Sequence, residues 1–329
     1  MSRWDENAQY ERPRRRTRPR TKDRPSHADS EAALVMTIDR GRYTLLAGED
    51  DDTRTVLAMK SRPLGRKAVV VGDRVRVVGD MSGREGTLAR IVEVDDRVTT
   101  LRRTADDDDP VERVIVANAD QLVVVTALAD PPPRPRLVDR CLVAAFDAGM
   151  DPLLCLTKAD LACPNELLEA YRPLGVEAVA TERGGDVTEL RGRLADRVSV
   201  LVGHSGVGKS TLVNALVPGA RRGIGVVNAF TGRGRHTSSS AVALPLPGGG
   251  WIVDTPGIRS FGLAHVDADG LLRAFPDLSE ASVRCSRGCT HGSDAPECGL
   301  DLAVTAGRVE AVRVVSFRRL LASREGERD

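Results

Sequence analysis

The sequence predicts a multi-domain protein with an N-terminal β-barrel, a central α/β domain and a C-terminal helical region that holds a cysteine and histidine cluster. Three observations predict this fold class. Short apolar runs separated by turn residues fill positions 32–104, and apolar strands alternate with helical segments from position 111 onward. Closely spaced cysteines and a histidine follow near position 285. A chain of 329 residues is long enough for two or three domains, each with its own core.

Composition narrows the class of protein. The chain has 48 Lys and Arg residues and 47 Asp and Glu residues, so any attraction to nucleic acid must come from local patches. No stretch approaches the ~20 apolar residues that span a bilayer. The N-terminus is polar and lacks the apolar segment of a secretory signal. We therefore expect a cytoplasmic protein with no membrane contact, whose six cysteines stay reduced and favour metal binding over disulfides.

Residues 1–31 are predicted to form a disordered, arginine-rich tail. Eight basic residues and one acid lie between Arg12 and Arg24, and interspersed prolines oppose a helix. Two interpretations stay open. The tail contacts RNA phosphates through counterion release, or it only keeps the protein soluble.

Residues 32–105 are predicted to form a small closed β-barrel of the OB type. Strands are expected at Ala33–Ile38, Tyr43–Ala47, Thr55–Met59, Arg74–Val78 and Thr87–Val94. An SH3-like barrel has much the same pattern, so the choice between the two stays open. Such barrels often bind oligonucleotides, but the fold alone does not establish that function.

Residues 110–276 are predicted to form the α/β domain, after an acidic linker at Asp106–Asp109. The expected strands are Val111–Val116, Gln121–Leu128, Leu153–Leu156, Val198–Val202 and Trp251–Val253, and the expected helices are Leu137–Ala148 and Thr211–Leu216. This alternation is typical of a mostly parallel sheet with helices on both faces.

A phosphate-binding loop with the spacing G-x-x-x-x-G-K-S lies between an apolar strand and a helix. Its residues are Gly203, His204, Ser205, Gly206, Val207, Gly208, Lys209, Ser210 and Thr211. In this setting the backbone N–H groups and the helix N-terminus point at one place, which suits a polyphosphate. We expect Lys209 to reach the β- and γ-phosphates and the Ser210 hydroxyl to bind Mg²⁺.

A base-reading motif of the form T-K-x-D follows the predicted strand Leu153–Leu156. It consists of Thr157, Lys158, Ala159 and Asp160. A carboxylate at this strand end accepts hydrogen bonds from two guanine donors, N1–H and the 2-amino group, which adenine does not offer. Together with the phosphate loop, the motif predicts selection of GTP.

A third motif, Asp254-Thr255-Pro256-Gly257, follows a predicted strand after the phosphate loop. We expect Asp254 near Mg²⁺ and the Gly257 N–H near the γ-phosphate. The intervening stretch Gly219–Ala241 is rich in Gly, Arg and Thr, and Thr237 in it is a second expected Mg²⁺ ligand. Because the base-reading motif precedes the phosphate loop, the order of the motifs predicts a circularly permuted GTPase domain.

Residues 277–329 contain four ligands with the spacing C-x₃-C-x-H-x₆-C. Cys285, Cys289, His291 and Cys298 are predicted to bind one structural zinc ion, since Cys₃His is a closed tetrahedral set. A helix is expected at Val304–Leu321, with a candidate phosphate-facing surface formed by Arg308, Arg313, Arg318 and Arg319.

Over about residues 32–320, the sequence resembles the circularly permuted, zinc-containing GTPases that act on the small ribosomal subunit late in its assembly. The matching stretches are Ala117–Gln121, Leu156–Leu161, Gly203–Thr211, Gly232–Thr237, Asp254–Gly257 and Cys285–Cys298. The resemblance implies GTP hydrolysis stimulated by the small subunit, with rRNA contacts from the barrel and the zinc domain. Two positions depart from the family pattern. Ala180-Thr181 stands where members have Ser-Ala, and Thr157 stands where many have Asn.

Hydrolysis needs a group that orients water, and Ile258 occupies the position where many GTPases have glutamine. We expect His236 to fill this role, as the resemblance also implies; a loop histidine that faces RNA or solvent is the alternative. We expect a monomer. Two rival functions stay open, a GTP-dependent metallochaperone and a nucleotide-gated RNA-binding scaffold with incidental hydrolysis.

Overall fold

The computed structural model describes residues 27–48, 52–65, 69–104, 112–218, 241–255, 263 and 266–324. The predicted tail up to residue 26, the acidic run 106–109 and positions 219–240 lie outside these ranges. Within the described ranges, no helix is both long and apolar enough to cross a membrane.

The N-terminal part is a closed barrel of five strands. These are β1 (Glu31–Asp39), β2 (Arg42–Ala47), β3 (Arg54–Lys60), β4 (Arg74–Gly79) and β5 (Ala89–Val94). The order is β1-β2-β3-β5-β4, and β4 also pairs with β1, which closes the barrel. Alternate side chains such as Val35, Val56 and Ile91 fill the interior. The predicted OB-like barrel is confirmed.

A β-bulge in β1 lets this strand pack into two cores. Its pairing with β2 skips Met36, the extra residue of the bulge. Val35 lies in the barrel core, whereas Met36 lies in the core of the central domain. One residue later, Thr37 pairs with Val242 of the central sheet. The barrel and the central domain therefore share one continuous sheet of 11 strands.

A two-stranded sheet follows the barrel and joins it to the central domain. Its strands, β6 (Thr100–Thr104) and β7 (Glu112–Ala117), are antiparallel. Of these only β7 was expected from sequence. The two strands pair across the predicted linker, whose residues lie outside the described ranges, and the proposed domain boundaries stay a prediction.

The central domain has the predicted α/β architecture. Its strands are β8 (Gln121–Ala127), β9 (Asp151–Thr157), β10 (Glu177–Ala180), β11 (Val198–Val202), β12 (Val242–Pro245) and β13 (Trp251–Asp254), and its helices are α1 (Pro135–Asp147), α2 (Asn165–Tyr171), α3 (Thr188–Leu194) and α4 (Lys209–Leu216). The order is β10-β9-β8-β11-β13-β12, and every pair is parallel except β12 with β13. All of β8 is buried, as expected for a strand covered on both faces.

The C-terminal region contains α5 (Ala268–Arg273), α6 (Pro276–Ser282), α7 (Gly299–Thr305) and α8 (Ala311–Ser323). The prediction of one helix over Val304–Leu321 is wrong, because α7 ends at Thr305 and Gly307 turns the chain at φ +70°. Phe317 of α8 and Leu142 of α1 belong to one core cluster. The C-terminal helices therefore pack directly onto the central domain.

The arginines of α8 do not form the expected phosphate-facing surface. Their guanidinium groups contact aspartates of the same chain, in the pairs Arg313–Asp277, Arg318–Asp301 and Arg319–Asp139. Only Arg308, in the turn before α8, is exposed without such a contact among the described residues. The structure thus contradicts this prediction for three of the four arginines.

Candidate nucleotide site and metal site

The predicted nucleotide-binding residues meet at one edge of the central sheet. Asp254 ends β13, Gly203 follows β11, Thr157 ends β9 and Thr181 follows β10. These four strands are parallel, so their carboxyl ends lie along the same edge, where α/β proteins bind ligands. Three motifs that are far apart in sequence therefore form one site.

The phosphate loop has backbone positions that require glycine. Gly203 has φ +153°, and a Cβ there would collide with the backbone oxygen of Val125 on β8. Gly208 has φ +94° and is the N-cap of α4. The Lys209 ammonium donates hydrogen bonds to the backbone oxygens of Gly203 and, at 3.0 Å, His204. The Lys209 side chain thus lies across the phosphate loop. From this position we expect it to reach the phosphates.

The base-reading motif is bonded to the phosphate loop. The Thr157 hydroxyl is buried and donates a hydrogen bond of 2.6 Å to the backbone oxygen of Val207. The Lys158 ammonium donates to the backbone oxygen of Asp130, in the segment after β8. The Ala159 N–H donates to the Thr181 oxygen at 3.1 Å. These contacts hold the loops that follow four neighbouring strands in one arrangement.

A cavity of about 490 Å³ lies between these loops, and Asp160 and Lys158 line it. Its other lining residues come from the segment after β10, from the phosphate loop and from α4, and they include Thr181, Glu182, Arg183, Gly206, Gly208 and Thr211. This volume is within the range of small-molecule sites. The cavity joins the carboxylate expected to select guanine to the loop expected to bind phosphates.

Asp254 and Thr255 lie at the opposite side of the phosphate loop. Burial raises the pKa of Asp254, and the nearby Lys209 ammonium partly opposes this shift. The buried Thr255 hydroxyl donates 2.7 Å to the backbone oxygen of Leu201, at the end of β11. Asp254 is therefore close enough to Lys209 for a charge interaction, at the edge where we expect the phosphates and Mg²⁺.

Three predicted site residues, His236, Thr237 and Gly257, lie outside the described residues, as does Ile258. The exposed Ser210 is in the first turn of α4, one residue after Lys209. The expected roles of these residues stay predictions.

The four predicted metal ligands lie together, with ligand atoms within 4.8 Å of one another. The Cys285 and Cys298 sulfurs are 4.0 Å apart, and His291 Nδ1 is 3.5 Å and 3.9 Å from them. A tetrahedral zinc ion with bonds of about 2.0–2.3 Å separates its ligands by about 3.5–3.8 Å. The residues present therefore fit zinc, and Nδ1 is the nitrogen that faces the site.

Neighbouring groups orient these ligands. The Gly299 N–H donates 3.0 Å to the Cys285 sulfur, as expected for a thiolate ligand. The other ring nitrogen of His291, Nε2, is 3.7 Å from the Asp269 carboxylate. Arg318 donates 3.0 Å to the backbone oxygen of His291 and so holds the ligand loop against α8. Burial also raises the pKa of Cys285 to about 11, so metal binding must displace thiol protons.

Sequence reasoning missed Asp130, Glu182 and Arg183, which also line the cavity. No motif marks them. Their position after β8 and β10, at the same edge as the motifs, was the available signal.

Comparisons with known proteins agree with this geometry. A family model described as RsgA GTPase matches residues 94–264, just over half of the 329 residues. The chain belongs to the RsgA GTPase family. Membership confirms the predicted class of enzyme, a GTP hydrolase.

Family relatives match the chain over different lengths. A protein named small ribosomal subunit biogenesis GTPase RsgA from Chlorobaculum parvum is 39% identical over 304 residues, which is 89% of this chain and 97% of the relative. A protein of the same name from Ectopseudomonas mendocina is 44% identical over 218 residues, 64% of this chain. That second match spans 63% of the relative, just under two thirds of its length.

Two solved structures have the same fold. YjeQ from Thermotoga maritima superposes with a TM-score of 0.66 at 25% identity and covers 91% of this chain and 100% of that one. YloQ, described as a circularly permuted GTPase, has a TM-score of 0.66 at 23% identity, with 92% of this chain and 97% of that chain covered. The predicted circular permutation is confirmed as a property of the fold.

Proposed function

We propose that this protein hydrolyses GTP during the late maturation of the small ribosomal subunit, and that it binds that subunit as a cytoplasmic monomer. The observation that carries the proposal is the cavity in which Asp160 and the phosphate loop face one another. The names of the family relatives support the ribosomal role.

Selection of guanine rests on Asp160. Its carboxylate accepts from guanine N1–H and the 2-amino group, while Lys158 covers the base and ribose. Thr181 lines the same part of the cavity and holds Ala159 through its backbone oxygen. An adenine ring would leave the carboxylate without its two donors, which disfavours ATP.

Phosphate binding rests on the loop and on Lys209, whose ammonium exchanges two carbonyl oxygens for the β- and γ-phosphates. Ser210 and Thr237 would hold Mg²⁺, with Asp254 beside it and the Gly257 N–H at the γ-phosphate. When bound, Mg²⁺ neutralises charge that develops on the phosphates. His236 orients the attacking water.

Contact with rRNA is proposed for the barrel and the zinc region. On the barrel, Arg42, Met59 and Arg90 are register partners across β2, β3 and β5, and all three are exposed. Such a row offers two guanidinium groups to phosphates on either side of an apolar, polarizable thioether. In the zinc region the exposed Arg284 and Arg287 lie beside the ligand Cys285.

Zinc is proposed to be structural. Two of the four ligands are buried, since His291 is only 4% exposed and Cys298 only 1%, while Cys285 and Cys289 are half-buried. This burial favours a resident ion over the exchangeable metal of a metallochaperone. Dialysis against a weak chelator tests the point, because a structural ion stays bound while cargo is lost.

The proposed function is tested by co-sedimentation with small ribosomal subunits and by GTP turnover with and without them. We expect binding with a non-hydrolysable GTP analogue, weaker binding with GDP, and faster turnover when subunits are added. Replacing Arg42 and Arg90 with alanine should lower subunit binding and its salt dependence. Arg193→Ala is the control, because Arg193 pairs with Glu177 in the central domain.

Absence of both subunit binding and stimulation would overturn the proposal. If the protein is instead a nucleotide-gated scaffold, the result differs. A variant that binds GTP but does not hydrolyse it should then still dissociate from the subunits at the normal rate.

A further inference from the structure

Asp139 is a buried carboxylate that none of the roles above explains. It lies on the inner face of α1 and is 2% exposed. Its partners come from two other elements. Arg319 of α8 lies 3.2 Å away, and the Tyr171 phenol at the end of α2 is close to the same carboxylate. Burial raises the pKa of Asp139, and the Arg319 charge opposes that shift.

Arg319 contacts α2 as well as α1. Its guanidinium group lies over the Tyr171 ring, 4.8 Å from the centroid, and donates 3.3 Å to the backbone oxygen of Ala170. The Tyr171 phenol in turn donates 3.2 Å to the backbone oxygen of Pro135, the first residue of α1. One arginine of α8 therefore fixes the position of α1 relative to α2.

Both helices begin close to the nucleotide cavity. Pro135 follows the lining residue Asp130 by five positions, and Asn165, the start of α2, follows the lining residue Asp160 by five. Lys158, two residues before Asp160, donates to the Asp130 oxygen and so joins the chain near the starts of the two segments. A shift of α1 against α2 would change the distance between the two loops that enclose the base.

The residue before Arg319 holds the metal site. Arg318 donates to the backbone oxygen of His291, and both of its terminal nitrogens lie 2.8 Å from the Asp301 carboxylate on α7. Adjacent arginines of one helix thus contact the zinc-ligand loop and the helices of the nucleotide site.

We propose that α8 couples the nucleotide cavity to the zinc-ligand cluster, with Arg319 as a positioning residue for GTP binding through Asp139 and Tyr171. The inference rests on the proposed binding of GTP and zinc. Coupling between binding free energies is reciprocal, so a zinc region that supports GTP affinity is itself stabilised when GTP binds.

The test measures two quantities on the full-length zinc-loaded protein, the affinity for a fluorescent GTP analogue and the rate of zinc loss to a chelator. In the unmodified protein, GTP should slow zinc loss several-fold. Arg319→Gln should weaken GTP binding by about tenfold and abolish the protection. Arg318→Gln removes the other contact of the same helix, so it should lose zinc faster and also abolish the protection by GTP, while GTP affinity falls only by the several-fold factor of the coupling and thus less than in Arg319→Gln.

A double-mutant cycle separates coupling from general damage. Asp139→Asn keeps the shape of the buried side chain, and Asp139→Asn combined with Arg319→Gln should bind GTP no more weakly than Arg319→Gln alone. Arg319→Lys keeps the charge and should restore part of the affinity.

Zinc loss at the same rate with and without GTP in the unmodified protein would overturn the inference, and that measurement depends on no variant. Normal GTP affinity of Arg319→Gln would overturn it too. Failure of the unmodified protein to bind GTP or zinc at all is a different result, which rejects the proposed function itself.

Discussion

The Thr157 hydroxyl donates a 2.6 Å hydrogen bond to the backbone oxygen of Val207, which ties the base-reading motif to the phosphate loop. A second acceptor, the Thr126 oxygen, lies 3.3 Å from the same hydroxyl. One hydroxyl, that of Thr157, thus joins the base-reading motif to the phosphate loop, across 50 positions of sequence.

Thr157→Val should weaken binding of GTP and GDP by a similar factor of about tenfold, because it leaves the buried Val207 oxygen without its donor at a cost of about 1–2 kcal/mol. Fluorescent-nucleotide titration measures both affinities. Thr157→Ser keeps the hydroxyl and should stay close to the unmodified protein. Equal losses in the serine and valine variants would show that the methyl group, not the bond, matters.

Asp160→Asn should change base preference from GTP toward xanthosine triphosphate, since the amide offers a donor where guanine needs an acceptor. Competition between the two nucleotides measures the ratio. Asp130→Asn, at another wall of the cavity, is the control and should keep the preference for GTP. An unchanged preference in Asp160→Asn would remove this carboxylate from base recognition.

Asp254→Asn should raise the melting temperature of the nucleotide-free protein at neutral pH. Burial raises the pKa of Asp254, so its ionised form disfavours the folded state once the pH exceeds the carboxyl's ordinary pKa. Below that ordinary value the carboxyl is protonated in both states, and the gain should vanish. Calorimetry at several pH values measures this difference.

The same variant should weaken Mg²⁺-dependent GTP binding at neutral pH, and its difference from the unmodified protein should shrink as the pH is lowered. In the unmodified protein, Mg²⁺ affinity should fall as the pH is lowered, because the protonated carboxyl cannot serve the ion. If GTP binding depends on Mg²⁺ to the same extent in the unmodified protein and in the variant, Asp254 is excluded from the site.

Gly203→Ala should destabilise the protein by about 2 kcal/mol or more, because the added Cβ meets the Val125 oxygen on the neighbouring strand. Chemical denaturation measures the loss. Gly184→Ala is the control. Gly184 also has a positive φ, +74°, but nothing lies within 4 Å of its added Cβ, so only the backbone strain of about 1 kcal/mol applies.

His236→Ala should leave GTP affinity nearly unchanged and lower the subunit-stimulated turnover most, since it removes a contact made only in the transition state. Lys209→Ala, in contrast, should lose nucleotide binding. Single-turnover kinetics with saturating subunits separates the two effects. A normal stimulated rate in His236→Ala would assign water orientation to another group.

Local patterns made most of the fold and site predictable. The phosphate loop and the Cys285–Cys298 spacing are short, and their geometry follows from neighbours in sequence. The permutation was predictable because motif order is a property of the chain itself. The Arg319–Asp139 pair was not, because these residues are 180 positions apart and each alone resembles a solvent-exposed helical charge.

The break between α7 and α8 was missed for another reason. The apolar residues of Val304–Leu321 fit one helical pattern, and Gly307 within it was the only contrary signal. Likewise, no residue pattern in β1 predicts that Met36 packs outside the barrel core, because a bulge depends on the pairing with the partner strand.

That bulge has a consequence for how the protein can be divided. With Met36 and Thr37 committed to the central domain, β1 covers β12, which would otherwise be the open edge of the central sheet. A fragment that begins after the barrel would present unpaired backbone groups along β12 and a vacated apolar site, both of which promote self-association. The barrel thus covers one edge of the central sheet. A shortened form of this enzyme without the barrel needs another strand that pairs with β12 in place of β1.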